Sequence, residues 1–147
     1  MAWGANAKAT QMSAKVVKTS GPNGYLNDPE GISGRKINYL LKLRASNQDI
    51  CKPYIYKFHN AQCIPNTKPQ KVKCDVALLC ASQNEVFKDD VINLVKNGCI
   101  CVAEVTNMPS TPETIEVFLG NEILFSPGKA LHVGGVAVFG LENFKML

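Results

Sequence analysis

The chain has 147 residues, 46% of them hydrophobic, and a formal net charge of +4. This composition predicts one globular domain of ordinary size, excludes a disordered chain, and offers no apolar run of the ~18 residues that a membrane-spanning helix needs. Residues 1–73 carry 12 Lys and Arg against 3 acidic residues. These basic residues are scattered and not interleaved with aromatic ones, so we favour a solvated basic face over an anionic-ligand site and exclude a nucleic-acid partner.

The first half of the chain alternates short apolar runs with turn-rich and helical segments. Residues 14–19, AKVVKT, predict a short buried strand, and the turn-rich string SGPNGYLNDPEG follows it. Apolar residues at helical spacing predict a helix over residues 33–45, with Ser33 as its N-cap. A shorter helix, interrupted by Pro53, is predicted over residues 47–58.

The second half alternates apolar strands with amphipathic helices. The predicted helix in NEVFKDDVINLVKNG ends at a C-cap glycine, Gly98, and the one in STPETIEVFLG begins at Ser110 or Thr111 with Pro112 in its first turn. This alternation predicts an α/β domain with a mostly parallel sheet, which binds ligands beyond the carboxyl ends of its strands. The predicted strands of this sheet include residues 61–65, 74–80, 99–104 and 123–127.

Neither the cysteines nor the glycine-rich stretch FSPGKALHVGGVAVFG forms a recognisable reactive motif. There are six cysteines and two histidines, without a C-x-x-C pair, so we predict reduced structural thiols and no metal site. Lys129 is followed by Ala130 where a phosphate-binding loop needs Ser or Thr. The stretch therefore predicts a turn that leaves a strand, followed by a packed helix.

Several long strings resemble the cofactor-binding domain of hexameric NADP-dependent glutamate dehydrogenases, within the Glu/Leu/Phe/Val dehydrogenase family. CDVALLCASQNE is similar to that family's C-D-I-A-L-P-C-A-T-Q-N-E, and GYLNDPEGI is similar to its G-Y-I-Y-D-P-x-G-I. KATQMSAKVV is similar to K-A-T-E-L-G-A-K-V-V, and the string from NMPSTPETIEVFLG to the end of the glycine-rich helix also resembles the family. The resemblance covers almost the whole chain.

The resemblance implies a set of binding residues. Gln83 and Asn84 match residues beside the nicotinamide ribose, and Asn107 matches the Asn beside the nicotinamide carboxamide. Ser20 matches a serine near the adenosine ribose, where a hydroxyl can hydrogen-bond the 2′-phosphate of NADP. Val136 matches a valine that contacts the amino-acid substrate.

Other positions depart from the family's pattern. Gly21 and Pro22 replace polar residues at the adenosine ribose, and Val105 replaces a glycine beside the cofactor. Phe139 replaces the serine that holds the side-chain carboxylate of the substrate. His132 replaces an asparagine, and we interpret it as a pocket-wall or packed residue.

The implied fold is a truncated Rossmann-like, doubly wound α/β domain over residues 1–147, a single partial domain without the first strand and the Gly-rich turn. The implied chemistry is NADP-linked oxidative deamination of L-glutamate. The family's catalytic Lys and Asp have no counterpart in the chain, so we expect no catalytic residue and no activity from the isolated chain. A non-enzymatic binding or interaction protein and a vestigial gene product remain the alternatives.

Two further expectations follow. The opening residues lack a charged segment followed by an apolar one, which predicts a cytoplasmic protein without a secretory signal. Removal of the first strand would leave the strands at residues 14–19 and 74–80 either to pair with each other or to expose apolar edges. Exposed edges predict self-association.

Overall fold

The computed structural model describes residues 2–21, 23–46, 51–135 and 137–138. The chain divides into two compact units, Ala2–Pro69 and Gln70–Leu147. Within the described ranges, no helix combines the length and the apolar character that crossing a membrane requires.

The first unit holds a three-stranded antiparallel sheet and three helices. The sheet order is β1-β2-β3, with Ser20 opposite Tyr25 and Leu26 opposite Cys63. Ile32, Leu40 and Tyr54 form the centre of its core and are completely buried. The elements are α1 (Ala2–Gln11), β1 (Lys18–Gly21), β2 (Gly24–Asn27), α2 (Arg35–Ala45), α3 (Cys51–Lys57) and β3 (Gln62–Pro65).

This unit differs from the sequence prediction in its strands. The predicted strand at residues 14–19 begins only at Lys18, and β2 lies inside the segment predicted as turns. Tyr25 and Leu26 explain β2, because both are buried and the strand gains a hydrogen-bonded partner on each side. The first sheet is therefore antiparallel, and it includes β3, which the sequence prediction assigns to the parallel sheet. The N-cap of α2 is Gly34, with φ +49°, and not Ser33.

An internal charged network holds the loop after β2 against the helices. The carboxylate of Asp28 is completely buried and accepts hydrogen bonds from Lys36 Nζ and Tyr54 Oη, each at 2.8 Å. Burial alone would raise the pKa of Asp28, but these hydrogen bonds, the Lys36 charge and the Glu30 backbone N–H outweigh it and lower the pKa. Burial and the hydrogen bond to Asp28 raise the pKa of Tyr54, which stays a donor.

The prediction of six reduced thiols is wrong for two of them. Cys51 at the start of α3 and Cys63 in β3 form a disulfide, with their Cα atoms 5.6 Å apart. The helix and the strand bring together residues 12 positions apart in the chain. Cys74, Cys80, Cys99 and Cys101 are not disulfide-bonded and carry thiols.

The second unit holds a parallel sheet with flanking helices and confirms the α/β Rossmann-like prediction. The sheet order is β4-β5-β6, with Ala77, Val102 and Phe125 side by side. After the 3₁₀ turn at Pro69–Lys71, its elements are β4 (Val76–Leu79), α4 (Lys88–Lys96), β5 (Cys101–Glu104), α5 (Pro112–Gly120), β6 (Leu124–Ser126) and α6 (Gly128–Leu131).

The helices of this unit begin and end close to the predicted positions. Gly98 follows α4 with φ +77°, a conformation that favours glycine, and Thr111 caps α5 with Pro112 in its first turn. Both helices cover one face of the sheet. Val102 and Phe118 are completely buried, and the ring of Phe118 stacks on Phe125 with centroids 5.5 Å apart.

Candidate functional site

Three of the predicted binding residues lie at one edge of the parallel sheet. Because β4, β5 and β6 run in the same direction, their carboxyl ends meet at this edge. Gln83 and Asn84 lie in the loop after β4, and Asn107 lies in the loop after β5. We call these the β4 loop (residues 80–87) and the β5 loop (residues 105–111).

The two loops are joined by backbone hydrogen bonds. Thr106 N–H donates to the carbonyl of Leu79 at 3.0 Å, and Asn84 N–H donates to the carbonyl of Met108 at 3.0 Å. The carbonyl of Pro109 accepts from the next two N–H groups of the β4 loop at 2.9 and 3.0 Å. The loops that carry the predicted binding residues are thus joined through main-chain contacts that do not depend on the side chains.

Both loops contain a residue in the left-handed region at this junction. Asn84 has φ +51° and Met108 has φ +47°. Asparagine tolerates this conformation, but an unbranched side chain such as Met adopts it at a cost of about 1 kcal/mol or more. Strained backbone of this kind clusters at functional sites, where the surrounding structure holds it in place.

The side chains of Gln83, Asn84 and Asn107 are exposed at this edge. None of the three amides forms a side-chain hydrogen bond with the described part of the chain. Each amide can donate and accept, which suits a carboxamide or a sugar hydroxyl. The arrangement is a set of three exposed neutral amides on loops that are joined by backbone hydrogen bonds.

A buried carboxylate supports the same edge from below. Glu104, at the end of β5, is 4% exposed, and its Oε2 accepts a hydrogen bond from Gly128 N–H at 3.0 Å. Its Oε1 has no partner among the described residues. The ring of His132 lies 2.9 Å from the carbonyl of Val105, so it packs against the β5 loop as interpreted from the sequence.

Sequence reasoning did not single out Glu104. The available signal was an acidic residue at the end of the apolar run CICVAE, where a buried strand has no other charge. Close packing explains why residue 128 is a glycine. A Cβ at this position would lie 2.9 Å from the carbonyl oxygen of Thr106. The start of α6 is therefore packed directly on the β5 loop.

The remaining predicted residues are placed differently. Ser20 is exposed in β1, within the first unit. Val136 and Phe139 lie outside the described residues, so their predicted roles at the substrate stay predictions. Over the parts of the chain that the structure describes, no group of three or more His, Cys, Asp or Glu side chains could hold a metal ion.

Comparison with known proteins identifies the family. The family model for Glutamate/Leucine/Phenylalanine/Valine dehydrogenase matches residues 1–146. The chain belongs to this family. Its membership confirms the resemblance drawn from the motifs of the β4 and β5 loops.

Individual relatives agree with the family match. The chain is 50% identical over 142 residues to an NAD-specific glutamate dehydrogenase of Bacteroides fragilis, covering 97% of this chain and 32% of the relative. It is 42% identical over 135 residues to an NADP-specific glutamate dehydrogenase of Haemophilus influenzae, covering 92% of this chain and 30% of the relative. The chain thus spans about a third of the length of these relatives.

A solved structure gives the same result for the fold. Plasmodium falciparum glutamate dehydrogenase superposes with a TM-score of 0.90 at 39% identity, covering 99% of this chain and 32% of that chain. The names of the relatives include both NAD-specific and NADP-specific enzymes. A nicotinamide dinucleotide is therefore the cofactor class of the family.

Proposed function

We propose that this chain forms the nicotinamide-facing part of the dinucleotide site of a glutamate dehydrogenase, and that it is not catalytic as an isolated chain. The observation that supports this proposal most strongly is the junction of the β4 and β5 loops. It presents three exposed amides at the carboxyl edge of parallel strands, where α/β folds bind ligands.

In this proposal the residues of the chain bind and orient the cofactor. Asn107 hydrogen-bonds the carboxamide of the nicotinamide, and Gln83 and Asn84 hydrogen-bond the adjacent ribose. The bound dinucleotide supplies the hydride acceptor for oxidative deamination of L-glutamate to 2-oxoglutarate and ammonia. The carboxamide contact fixes which face of the ring is turned toward the substrate.

The same edge supports the non-catalytic part of the proposal. Oxidative deamination needs a general acid or base within hydrogen-bond reach of the substrate. The loops contribute neutral amides, and the buried carboxylate of Glu104 already accepts the Gly128 N–H. The amides are not proton acceptors at neutral pH, and Glu104 is only 4% exposed, so its carboxyl group is not accessible to a substrate at the surface of this edge.

For the cofactor we propose NADP, on the match of Ser20 to a residue near the adenosine ribose. NAD is the second candidate, because the relative that is 50% identical is NAD-specific by name. A single hydroxyl is a weak determinant of 2′-phosphate binding, since a neutral hydrogen bond contributes only about 1 kcal/mol. Parallel titrations with the two dinucleotides distinguish these candidates.

The experiment is a titration of the isotopically labelled chain with NADP and NAD, followed by NMR of the side-chain amides. We expect dissociation constants no tighter than about 1 mM, because a few neutral contacts barely offset the cost of association. The amide signals of Asn84 and Asn107 should shift, and that of Asn121 should not, since Asn121 donates to the Val117 carbonyl on α5.

The alternative readings make different predictions in the same titration. A binding or interaction protein that has reused the fold, or a vestigial gene product, would show no shift at Asn84 or Asn107 with either dinucleotide. The organisation of residues 1–147 as one partial domain, a cytoplasmic location and the absence of a nucleic-acid partner stay predictions.

A further inference from the structure

Two reduced cysteines, Cys74 and Cys99, lie near each other just before the amino ends of two parallel strands, β4 and β5. The β4–β5 register begins with Val76 opposite Cys101, and Cys74 and Cys99 each lie two residues before these positions. Cys74 packs against the apolar cluster that contains Cys99, and the Cys99 thiol lies 3.6 Å from the carbonyl of Asp75, the residue next to Cys74. The Asp75 carbonyl accepts hydrogen bonds from the N–H groups of residues 100 and 101 at 2.9 and 3.2 Å. The two segments are therefore hydrogen-bonded at the residue that follows Cys74. The thiol of Cys74 hydrogen-bonds that of Cys99.

The spacing suits a covalent link between the two sulfurs. Neighbouring strands lie about 4.8 Å apart, and the Cα atoms of disulfide-bonded cysteines lie about 4.4–6.8 Å apart. Both side chains belong to the same apolar cluster beneath the sheet.

The two thiols differ in accessibility. Cys74 is partly exposed, whereas Cys99 is 5% exposed. The Cys99 Sγ also lies 3.3 Å from the carbonyl of Cys101 and 3.6 Å from that of Asp75. The hydrogen bond with Cys74 and burial raise the pKa of Cys99, so Cys74 is the thiol that a reagent from solution meets first.

We propose that Cys74 and Cys99 form a thiol-modification site that reacts with low-molecular-weight disulfides, such as oxidised glutathione, and closes into an intramolecular disulfide. The Cys74 sulfur, as thiolate, attacks one sulfur of the reagent, forms a mixed disulfide and releases the first thiol. The Cys99 sulfur, on losing its proton, then attacks the Cys74 sulfur and releases the second thiol. The two protons leave with the two released thiols, so two cysteines are oxidised and one disulfide is reduced.

The site is independent of the proposed dinucleotide site. Cys74 and Cys99 precede β4 and β5, whereas Asn84 and Asn107 follow them, so the two sites occupy opposite ends of the same strands. Neither Cys80 nor Cys101 has a cysteine opposite it in the β4–β5 register. Cys101 is opposite Val76, and Cys80 follows the carboxyl end of β4.

The test is incubation of the full chain with oxidised glutathione, followed by tryptic digestion without reduction and mass spectrometry. Cleavage after lysine produces peptides 74–88 and 97–129, and we expect them to become linked with loss of two hydrogens. Each peptide carries a second cysteine, so Cys80→Ala and Cys101→Ala are the matched controls, and both should retain the link.

Two variants test the order of the steps. Cys74→Ala should abolish the link, and when combined with Cys80→Ala it should also abolish glutathione incorporation into peptide 74–88. Cys99→Ala should leave a stable glutathione adduct on Cys74. Because Cys74 is the less buried of the pair, its variant tests the proposal even if Cys99→Ala fails to fold. A glutathione adduct that persists on Cys74 in the unmodified sequence would overturn the proposal, as would a link that survives Cys74→Ala.

Discussion

The backbone N–H of Asn84 donates a 3.0 Å hydrogen bond to the carbonyl oxygen of Met108, joining the loops that follow β4 and β5. Both residues are in the left-handed region, with φ +51° and φ +47°. Gln83 precedes Asn84 in the sequence, and Asn107 precedes Met108. Both predicted binding residues are therefore adjacent to this hydrogen bond. The proposed cofactor contacts are therefore preorganised by the main chain, which reduces the ordering cost of binding.

Gly128→Ala should destabilise the second unit, because the new Cβ would lie 2.9 Å from the Thr106 carbonyl and 3.5 Å from that of Glu104. Backbone atoms do not yield as a flexible side chain would, so we expect a loss of about 1–3 kcal/mol in the free energy of unfolding. Urea unfolding measures it. The matched control is Gly120→Ala, at the end of α5, where nothing lies within 4 Å. An equal loss in both variants would contradict the packing argument.

Asp28→Asn should destabilise the first unit by about 3 kcal/mol near neutral pH, because it leaves the largely buried Lys36 without its 2.8 Å partner. The lowered pKa of Asp28 means that its contribution is present above the unfolded-state value near 3.8 and is lost as the pH falls through the folded-state value. The free energy of unfolding of the variant should therefore lack the decrease at acid pH that protonation of Asp28 causes in the original sequence.

Urea unfolding of both forms, near neutral pH and at several values below 3.8, tests this pH dependence. The control is Glu30→Gln, which removes the exposed carboxylate that pairs with Lys36 at 3.3 Å and should change stability little. Parallel pH profiles for the original sequence and Asp28→Asn would show that Asp28 is not the responsible group.

Cys51→Ala together with Cys63→Ala should lower the free energy of unfolding of the first unit by about 3 kcal/mol. The disulfide closes a loop between residues 12 positions apart, and its loss returns conformational freedom to the unfolded chain. Thermal unfolding should move to lower temperature to a similar extent when a reducing agent is added to the original sequence. The double variant should then be insensitive to the reducing agent, whereas Cys80→Ala should retain the sensitivity.

The sequence predicted the second unit better than the first, for a physical reason. Thr111, Pro112 and Gly98 act locally, through capping and backbone conformation, so the limits of α4 and α5 can be read from the chain. β2 depends on partners on both sides, and its short Gly24–Asn27 segment lies among turn-forming residues. The Cys51–Cys63 disulfide depends on how α3 and β3 pack, and no spacing rule supplies that information.

The candidate site shows the same division. Gln83, Asn84 and Asn107 could be named because they lie in strings that resemble a family, and parallel strands predict that loops after them meet at one edge. The hydrogen bonds that join those loops come from backbone groups, which leave no mark in the sequence. Glu104 was missed because its partner, Gly128, is 24 residues away along the chain.

Leu78→Lys should reduce the self-association that we expect of this chain. β4 is an edge strand of the parallel sheet within the described residues, and Val76 and Leu78 on it are 50% and 40% exposed. An exposed apolar edge strand favours pairing with another chain, and a lysine there opposes it. Sedimentation velocity over a range of concentrations measures the change, with Leu131→Lys on α6 as control at a similarly exposed leucine. A monomer at every concentration in the original sequence would refute the expectation.

The isolated chain, mixed with L-glutamate and either NADP or NAD, should produce no reduced nicotinamide, as measured by absorbance. The amides of Gln83, Asn84 and Asn107, which we propose orient the cofactor, transfer no proton, and Glu104 is only 4% exposed and so is not accessible to a substrate. Neutral contacts worth about 1 kcal/mol each also leave the cofactor weakly bound. Turnover that Asn84→Ala abolishes and Asn121→Ala retains would contradict this prediction, because it would show that residues of this chain assemble a complete active site.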